Sequence, residues 1–153
     1  MVERGVGSFL PSQVKERFLG VAPVIEQFAS DNRLRIERYR NAKPAWELSY
    51  ARRDGGIGSI TLSAREPSWH ALDVVAVFWL DDWTARSRRL RSEKVGVYFW
   101  RDSPHTLEGK LRDALERLDS WSVNDLGSPH GPFRDWPADE SEFMRRLTEL
   151  PVR

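Results

Sequence analysis

The longest apolar run of the chain, residues 72–80, has one polar member, Asp73. Eight of its nine residues are apolar and three are valine. The run is too short for a bilayer-spanning helix, which needs about 20 apolar residues, and it is typical of a strand buried on both faces. We therefore expect the central strand of a sheet over about residues 69–80.

Shorter segments on either side alternate apolar and polar residues, which is the period expected of strands. They cover residues 34–37, 46–50, 60–64, 83–90 and 95–100. The Asp54-Gly55-Gly56 sequence favours a hairpin turn, residues 81–82 favour a tight two-residue turn, and residues 91–94 should form another turn. Six strands in succession without an intervening helical pattern predict an antiparallel meander.

Helical patterns lie at both ends of the chain. An apolar residue at every third or fourth position predicts a helix over about residues 12–30, and Pro23 should kink it or divide it in two. This stripe consists of Val14, Phe18, Val21, Ile25 and Phe28. A stripe over residues 107–121 predicts a second helix, and a third over residues 139–150 should turn Phe143, Leu147 and Leu150 inward. The predicted fold class is α+β: a kinked N-terminal helix, a six-stranded antiparallel meander sheet and two C-terminal helices.

Length and composition are those of one soluble domain. At 153 residues the chain should form a single domain over 1–153, with 1–10 loose and an irregular loop at 124–137, where two Gly and three Pro occur. No cysteine is present, which excludes disulfides, cysteine nucleophiles and thiolate metal sites. The N-terminal residues lack the apolar segment of a signal peptide, so we expect a cytoplasmic protein without a membrane partner.

Charge argues against nucleic acid as the main partner. The net charge is +1, and although residues 83–101 hold six basic residues and one acidic residue, the C-terminal third is acidic. The simplest interpretation is an acidic helical layer that complements a basic sheet within one fold. RNA binding through the basic strands is a third hypothesis, which the low net charge makes less favourable.

No catalytic or metal-binding pattern is found. His70, His105 and His130 do not have the spacing of a zinc motif, and no nucleophile elbow or phosphate-binding loop occurs. We therefore predict no catalytic residues, no metal and no cofactor, and we favour a protein that is not an enzyme.

The best candidate for a contact surface is one face of the predicted hairpin after the central strand. A two-residue turn at residues 81–82 would place Val77 opposite Arg86 and Val75 opposite Arg88. Tryptophan and arginine above an apolar floor are enriched at protein-binding hot spots. The predicted partner-binding residues are Trp79, Val77, Val75, Arg86 and Arg88. The alternative is that the last helix or the N-terminal segment covers this face as a second core layer.

Asp73 should be paired, because an isolated buried carboxylate is costly. In the same register Arg88 lies diagonally across from it, so a structural Asp73–Arg88 ion pair is expected. If the chain instead binds a small molecule between sheet and helix, His70, Asp73 and Tyr98 are the first pocket candidates.

The resulting hypothesis is a non-catalytic protein-binding module, such as a small inhibitor, an immunity-type protein or an adaptor. Its partner would be another, unidentified protein, and its oligomeric state is left open. The alternative is a small-molecule-binding cradle or small enzyme with a pocket between sheet and helix.

Overall fold

A computed structural model describes residues 12–39, 43–65, 69–131 and 136–153 of the chain. Over these residues the fold is α+β, with three α-helices and one antiparallel sheet of five strands. In chain order the elements are α1 (Ser12–Asn32), β1 (Arg35–Arg38), β2 (Ala45–Ala51), β3 (Ile57–Ala64), β4 (Ala71–Asp82), β5 (Ser87–Phe99), α2 (Pro104–Ser120) and α3 (Glu140–Thr148). A 3₁₀ turn at Val123–Asp125 follows α2. The predictions for residues 1–10 and for part of the loop, residues 132–135, lie outside the described residues.

The strands form the predicted meander, in the sheet order β1-β2-β3-β4-β5, but the predicted number of six is wrong. Residues 91–94 do not turn. They continue β5, which pairs with β4 along its whole length apart from a register shift at Val74 and Val75. No Gly or Pro interrupts residues 91–94, so the backbone keeps its ladder hydrogen bonds, and the shift absorbs the local mismatch.

The turn between β4 and β5 is longer than predicted. Asp82 lies opposite Ser87, so residues 83–86 form a four-residue turn, with Arg86 at a positive φ of 51°. The Asp82 carboxylate accepts a hydrogen bond of 3.1 Å from the backbone N–H of Ala85, which stabilises this longer turn. Every pair across the hairpin is consequently displaced from the predicted register.

The core lies between one face of the sheet and the helices α1 and α2. Its sheet residues are the alternate positions Trp46, Leu48, Tyr50, Ile60, Leu62, Val74, Ala76 and Phe78, all buried. From α1, Phe18 stacks on Trp46 with 5.0 Å between ring centroids. From α2, the buried residues are Leu107, Leu111, Ala114, Leu115 and Leu118.

The N-terminal helix runs through Pro23 as one element and is not divided in two. Pro inside a helix costs about 3 kcal/mol. The five predicted stripe residues are all buried in the core, and full burial of each large apolar side chain contributes about 1.5–3 kcal/mol. Packing of the stripe therefore outweighs the proline.

Within the described residues, no helix has the length and apolar character needed to cross a bilayer.

Candidate binding cleft

The sheet face opposite α1 and α2 carries the remaining alternate residues, and we call it the open face. On β4 these residues are Val75, Val77, Trp79 and Asp81, between the buried residues of the core face. Val75, Val77 and Trp79 are apolar and only half-buried. Leu90 on β5, which lies opposite Trp79, has 43% of its surface exposed. A long strand that is apolar on both faces therefore presents apolar surface outside the core.

The helix α3 covers one end of the open face and is attached at both of its own ends. At its N-terminal end, Phe143 contacts Trp83 of the β4–β5 turn and Trp136, with ring centroids 5.5 and 6.0 Å apart. After its C-terminal end, the backbone pairs with the end of β2: Ala51 donates to the Pro151 carbonyl at 2.8 Å, and Arg153 donates to the Ala51 carbonyl at 3.0 Å. The helix therefore crosses the sheet from the hairpin to β2.

A cleft of about 440 Å³ lies between α3 and the open face. Its floor includes the sheet residues Ser49, Ile57, Trp79, Asp81 and Arg88. Its roof includes Trp136, Phe143, Leu147 and Leu150. The predicted inward stripe of the last helix thus lines this cleft instead of joining the core between the sheet and α1 and α2.

Asp81 and Arg88 form the most enclosed ion pair on the floor of the cleft. The two residues lie opposite each other across β4 and β5, and Arg88 donates from Nε at 2.6 Å and from Nη2 at 3.0 Å to the two carboxylate oxygens. The Arg88 guanidinium also lies 5.2 Å from the centroid of the Trp79 ring. The backbone N–H of Arg88 donates to the His130 carbonyl at 2.7 Å, and the backbone N–H of His130 donates to the Arg88 carbonyl at 2.8 Å. The backbone bonds, the ion pair and the ring together hold this side chain in one orientation.

Among the described residues that line the cleft, positive and negative side chains are equal in number. Among the described residues, the lining includes four arginines and four carboxylates: Arg35, Arg88, Arg145, Arg146, Glu37, Glu47, Asp81 and Glu149. Several pair with each other, including Arg35 with Glu149 at 3.6 Å. The formal charge of the described part of this lining is therefore zero.

Two tryptophans in the cleft wall carry buried indole N–H groups that have no acceptor in the described part of the chain. The Nε1 atoms of Trp79 and Trp136 are closed off from solvent and have no hydrogen-bond partner among the described residues. Leaving a buried donor unsatisfied costs about 1–3 kcal/mol.

Four of the five predicted partner-binding residues share the open face, and Arg86 does not. Trp79 and Arg88 line the cleft, while Val75 and Val77 are not part of its lining. Because residues 81–82 belong to β4, the turn begins two residues later and is two residues longer than predicted, so Val77 lies opposite Ser92 and Val75 opposite Lys94. The predicted pairing of these valines with arginines is therefore wrong. Arg86 lies in the turn itself, with its guanidinium 5.6 Å from the ring centroid of Trp83.

The predicted Asp73–Arg88 pair is also wrong, although Asp73 does pair with an arginine. Arg65, which follows β3, donates to its carboxylate at 2.8 and 3.2 Å, and the Lys94 ammonium lies 3.8 Å away. Asp73 lies opposite Val97, so the register moves Arg88 to the far end of the hairpin. The partner is a diagonal neighbour as expected, but on the preceding strand.

The residues of the alternative pocket do not converge. Tyr98 is completely buried in the core, where its hydroxyl donates to the Asp102 carbonyl at 2.8 Å and burial raises the pKa of the phenol. Asp73 projects from the other face of the sheet, and His70 is exposed near the ring of Phe99. Among the described residues, the cleft under α3 is a better candidate for a small-molecule site than these three residues.

The roof was not identified as part of a site from the sequence. Trp136 lies in a segment that the sequence predicted to be an irregular loop. On the floor, Asp81 lies in a segment that was predicted to be a tight turn. The only signal was the apolar stripe of α3, which by itself does not distinguish a core helix from the roof of a cleft.

The described residues contain no group of three or more histidine or carboxylate side chains placed to hold a metal ion. Comparisons of the chain with known protein families, with curated proteins and with solved structures found no match.

Proposed function

We propose that the chain is a non-catalytic protein-binding module, such as a small inhibitor, an immunity-type protein or an adaptor, and that it binds its partner with the open face and the cleft. The observation that carries this proposal is an apolar sheet surface that continues into a cleft with aromatic walls. Val75, Val77 and Leu90 supply the surface, and Trp79 with Arg88 connects it to the cleft. Apolar side chains that stay partly exposed on a sheet face beside a cleft favour an interaction site.

The composition and rigidity of this surface support the proposal. Tryptophan and arginine are the residue types most enriched at binding hot spots. Arg88 is already held by Asp81, by Trp79 and by its backbone bonds to His130, so little conformational entropy is lost when a partner contacts it.

The zero formal charge of the described cleft lining argues against RNA as the partner. Nucleic-acid sites depend on a surplus of arginine and lysine, because each phosphate contact displaces counterions. A polyanion in this cleft would meet as many carboxylates as arginines. A protein segment, which carries both signs of charge, fits the lining better.

A second candidate function is a small-molecule cradle. A volume of about 440 Å³ lies within the range of about 300–1,000 Å³ that is usual for ligand pockets, and α3 encloses the cleft from above. The cleft differs from the pocket that the sequence suggested, because neither Asp73 nor Tyr98 contributes to it.

The test is site-specific photocrosslinking in cells. A photoreactive amino acid at Leu90 on the open face should capture one partner protein, whereas the same group at Leu19, on the outer side of α1 and 67% exposed, should not. The captured protein is then purified and its affinity measured with the unmodified chain. Capture at both positions, or at neither, would contradict the proposed binding surface.

A further inference from the structure

We propose that α3 is a lid that opens over the cleft while the rest of the fold stays intact, and that it pivots on the paired residues 151–153. In the open form, molecules reach the floor of the cleft that the closed form keeps out. Three features of α3 lead to this inference: its burial, its internal bonds and its attachments. The motion belongs to the chain by itself, so it does not depend on which partner binds there.

The helix α3 is much less buried than the other two helices. Seven residues of α1 and five of α2 are buried in the core. All nine residues of α3 are exposed or half-buried, including Phe143 and Leu147 of its inward stripe. Because the free energy of burial rises with the apolar area removed from water, burial holds α3 on the sheet less strongly than it holds α1 or α2 in the core.

The space under α3 also limits its contact with the floor. The cleft of about 440 Å³ lies between the helix and the floor residues Ser49, Ile57 and Trp79. Protein interiors are close-packed and hold few voids larger than a water molecule, so a helix above such a volume is not packed as α1 is. Opening therefore breaks fewer dispersion contacts than the removal of a core helix would break.

Several polar contacts of α3 are internal, and opening leaves them intact. The Asp139 carboxylate accepts a hydrogen bond from the backbone N–H of Glu142 at 2.8 Å. Arg146 donates to the Glu142 carboxylate at 3.1 Å, and Arg145 donates to Glu149 one turn further on. These partners move together with the helix, so opening does not separate the members of these pairs.

The C-terminal attachment of α3 consists of directional hydrogen bonds. Ala51 donates to the Pro151 carbonyl at 2.8 Å and accepts from the backbone N–H of Arg153 at 3.0 Å. The Arg153 guanidinium also donates to the Asn32 carbonyl at 3.0 Å. These bonds fix residues 151–153 to β2 and α1, which places the pivot of the lid just before them.

Contacts elsewhere along α3 are of kinds that water replaces at modest cost. Phe143 meets Trp83 and Trp136 through ring contacts at 5.5 and 6.0 Å between centroids. Arg35 lies 3.6 Å from Glu149, with side chains 45% and 40% exposed, and exposed pairs of this type contribute little. A lid that releases these contacts and keeps those of residues 151–153 opens from its N-terminal end.

The first measurement is amide hydrogen exchange of the full chain, followed by NMR. Because a helix of nine residues is marginal by itself, its amides exchange whenever it leaves the sheet. The amides of residues 143–148 should exchange at least about 100-fold faster than the core amides of α1 and α2, after correction for intrinsic rates. Low urea should accelerate the core amides and leave those of α3 nearly unchanged, because opening exposes less surface than unfolding.

A single engineered thiol reports on the floor of the cleft, because the chain has no cysteine of its own. Ser49→Cys is nearly isosteric and places a thiol in the lining, at a residue that is 7% exposed. Ala76→Cys places a thiol on the core face of the sheet, at a residue that is 0% exposed. Iodoacetamide should label Ser49→Cys at least about 100-fold faster than Ala76→Cys, which waits for global unfolding.

Two alanine substitutions on α3 test whether the contact of the lid controls opening. Leu147→Ala removes a half-buried side chain of the cleft lining and should accelerate both α3 exchange and Ser49→Cys labelling about tenfold. Met144→Ala, at a residue of the same helix that is 51% exposed, should change both rates less than about twofold. Unchanged exchange of the α1 amides shows that each variant is folded.

Four results would overturn the inference. Exchange of α3 and labelling of Ser49→Cys at the global rate would make α3 part of the cooperative core. Fast exchange without fast labelling would mean that the helix frays without opening the cleft, and fast labelling with slow exchange would mean that the closed cleft already admits the reagent. Equal acceleration by Leu147→Ala and Met144→Ala would show that the lid contact does not control opening.

The lid and the proposed function are tested separately. Exchange and labelling are measured on the chain alone, whereas the proposed function is tested by capture of a partner at Leu90. A lid that fails to open leaves the open face as the interface, and failure of capture at Leu90 leaves the measured opening of α3 unchanged.

Discussion

Removal of the Arg88 guanidinium should destabilise the protein more than removal of both members of its ion pair. Arg88→Met keeps most of the aliphatic stem against Trp79 but leaves Asp81 without its bidentate partner. The Asp81 side chain is only 12% exposed and that of Arg88 27%, so water replaces the lost hydrogen bonds poorly.

The magnitude follows from this burial. Removing one member of a fully buried ion pair costs about 3–5 kcal/mol. Because both side chains keep some contact with solvent, we expect Arg88→Met to reduce the free energy of unfolding by about 2–3 kcal/mol. Asp81→Asn in the same chain removes the stranded charge and should recover about 1 kcal/mol or more of this loss.

The assay is urea denaturation of the wild type, the two single variants and the double variant, followed by circular dichroism. Arg112→Met is the control, because the Arg112–Glu108 pair on α2 is 58% and 40% exposed, and pairs of this type contribute about 0.5 kcal/mol or less. The reasoning is refuted if the losses of the two single variants simply add in the double variant, or if Arg88→Met costs no more than Arg112→Met.

Two further predictions concern the tyrosines. Gly58→Ala should cost about 1–3 kcal/mol of unfolding free energy in the same denaturation assay, because its Cβ would lie 2.4 Å from the ring of Tyr50, and a Gly20→Ala control, with open space at that position, should cost nothing comparable. Burial raises the pKa values of Tyr39, Tyr50 and Tyr98 above 10.0, so the folded chain holds these protons more tightly than the unfolded chain. Stability from this source is fully present below pH 10 and is lost as the pH rises through the raised pKa values, so the free energy of unfolding should fall above pH 10. Tyrosinate absorption of the folded chain should appear at a higher pH than that of the chain unfolded in urea. Tyrosinate absorption with the midpoint of the unfolded chain would contradict this.

Periodicity predicted the core correctly because it is a local property. Val74, Ala76 and Phe78 share a face through the pleat of the strand alone, and all three are buried. The stripe of α1 is likewise buried, whatever the partner that covers it. The α+β class and the meander order follow from the same local patterns.

The number of strands could not be predicted from the periodicity of apolar and polar residues. Residues 91–94 are polar and lie near an edge of the sheet, where polar residues suit an exposed strand as well as a turn. The neighbouring strand decides whether these residues turn or extend. Because β4 is 12 residues long, it supplies hydrogen bonds along which β5 continues.

The candidate site depended on tertiary structure even more. The hydrogen bond from Ala85 to Asp82 selects a four-residue turn, and that turn moves Arg88 from the expected position near Asp73 to one opposite Asp81. A change in turn length displaces every cross-strand pair, so an error at one turn reaches the whole predicted patch.

The sequence by itself determined which residues of α1, α2 and β4 face the core, because burial follows the helical and strand periods. Only the tertiary structure decided which charges meet and where the cleft lies. The cleft exists because Phe143 of α3 packs against Trp83 and Trp136, and because residues 151–153 pair with Ala51. These contacts join segments far apart in the chain, and no local pattern of apolar and polar residues specifies them.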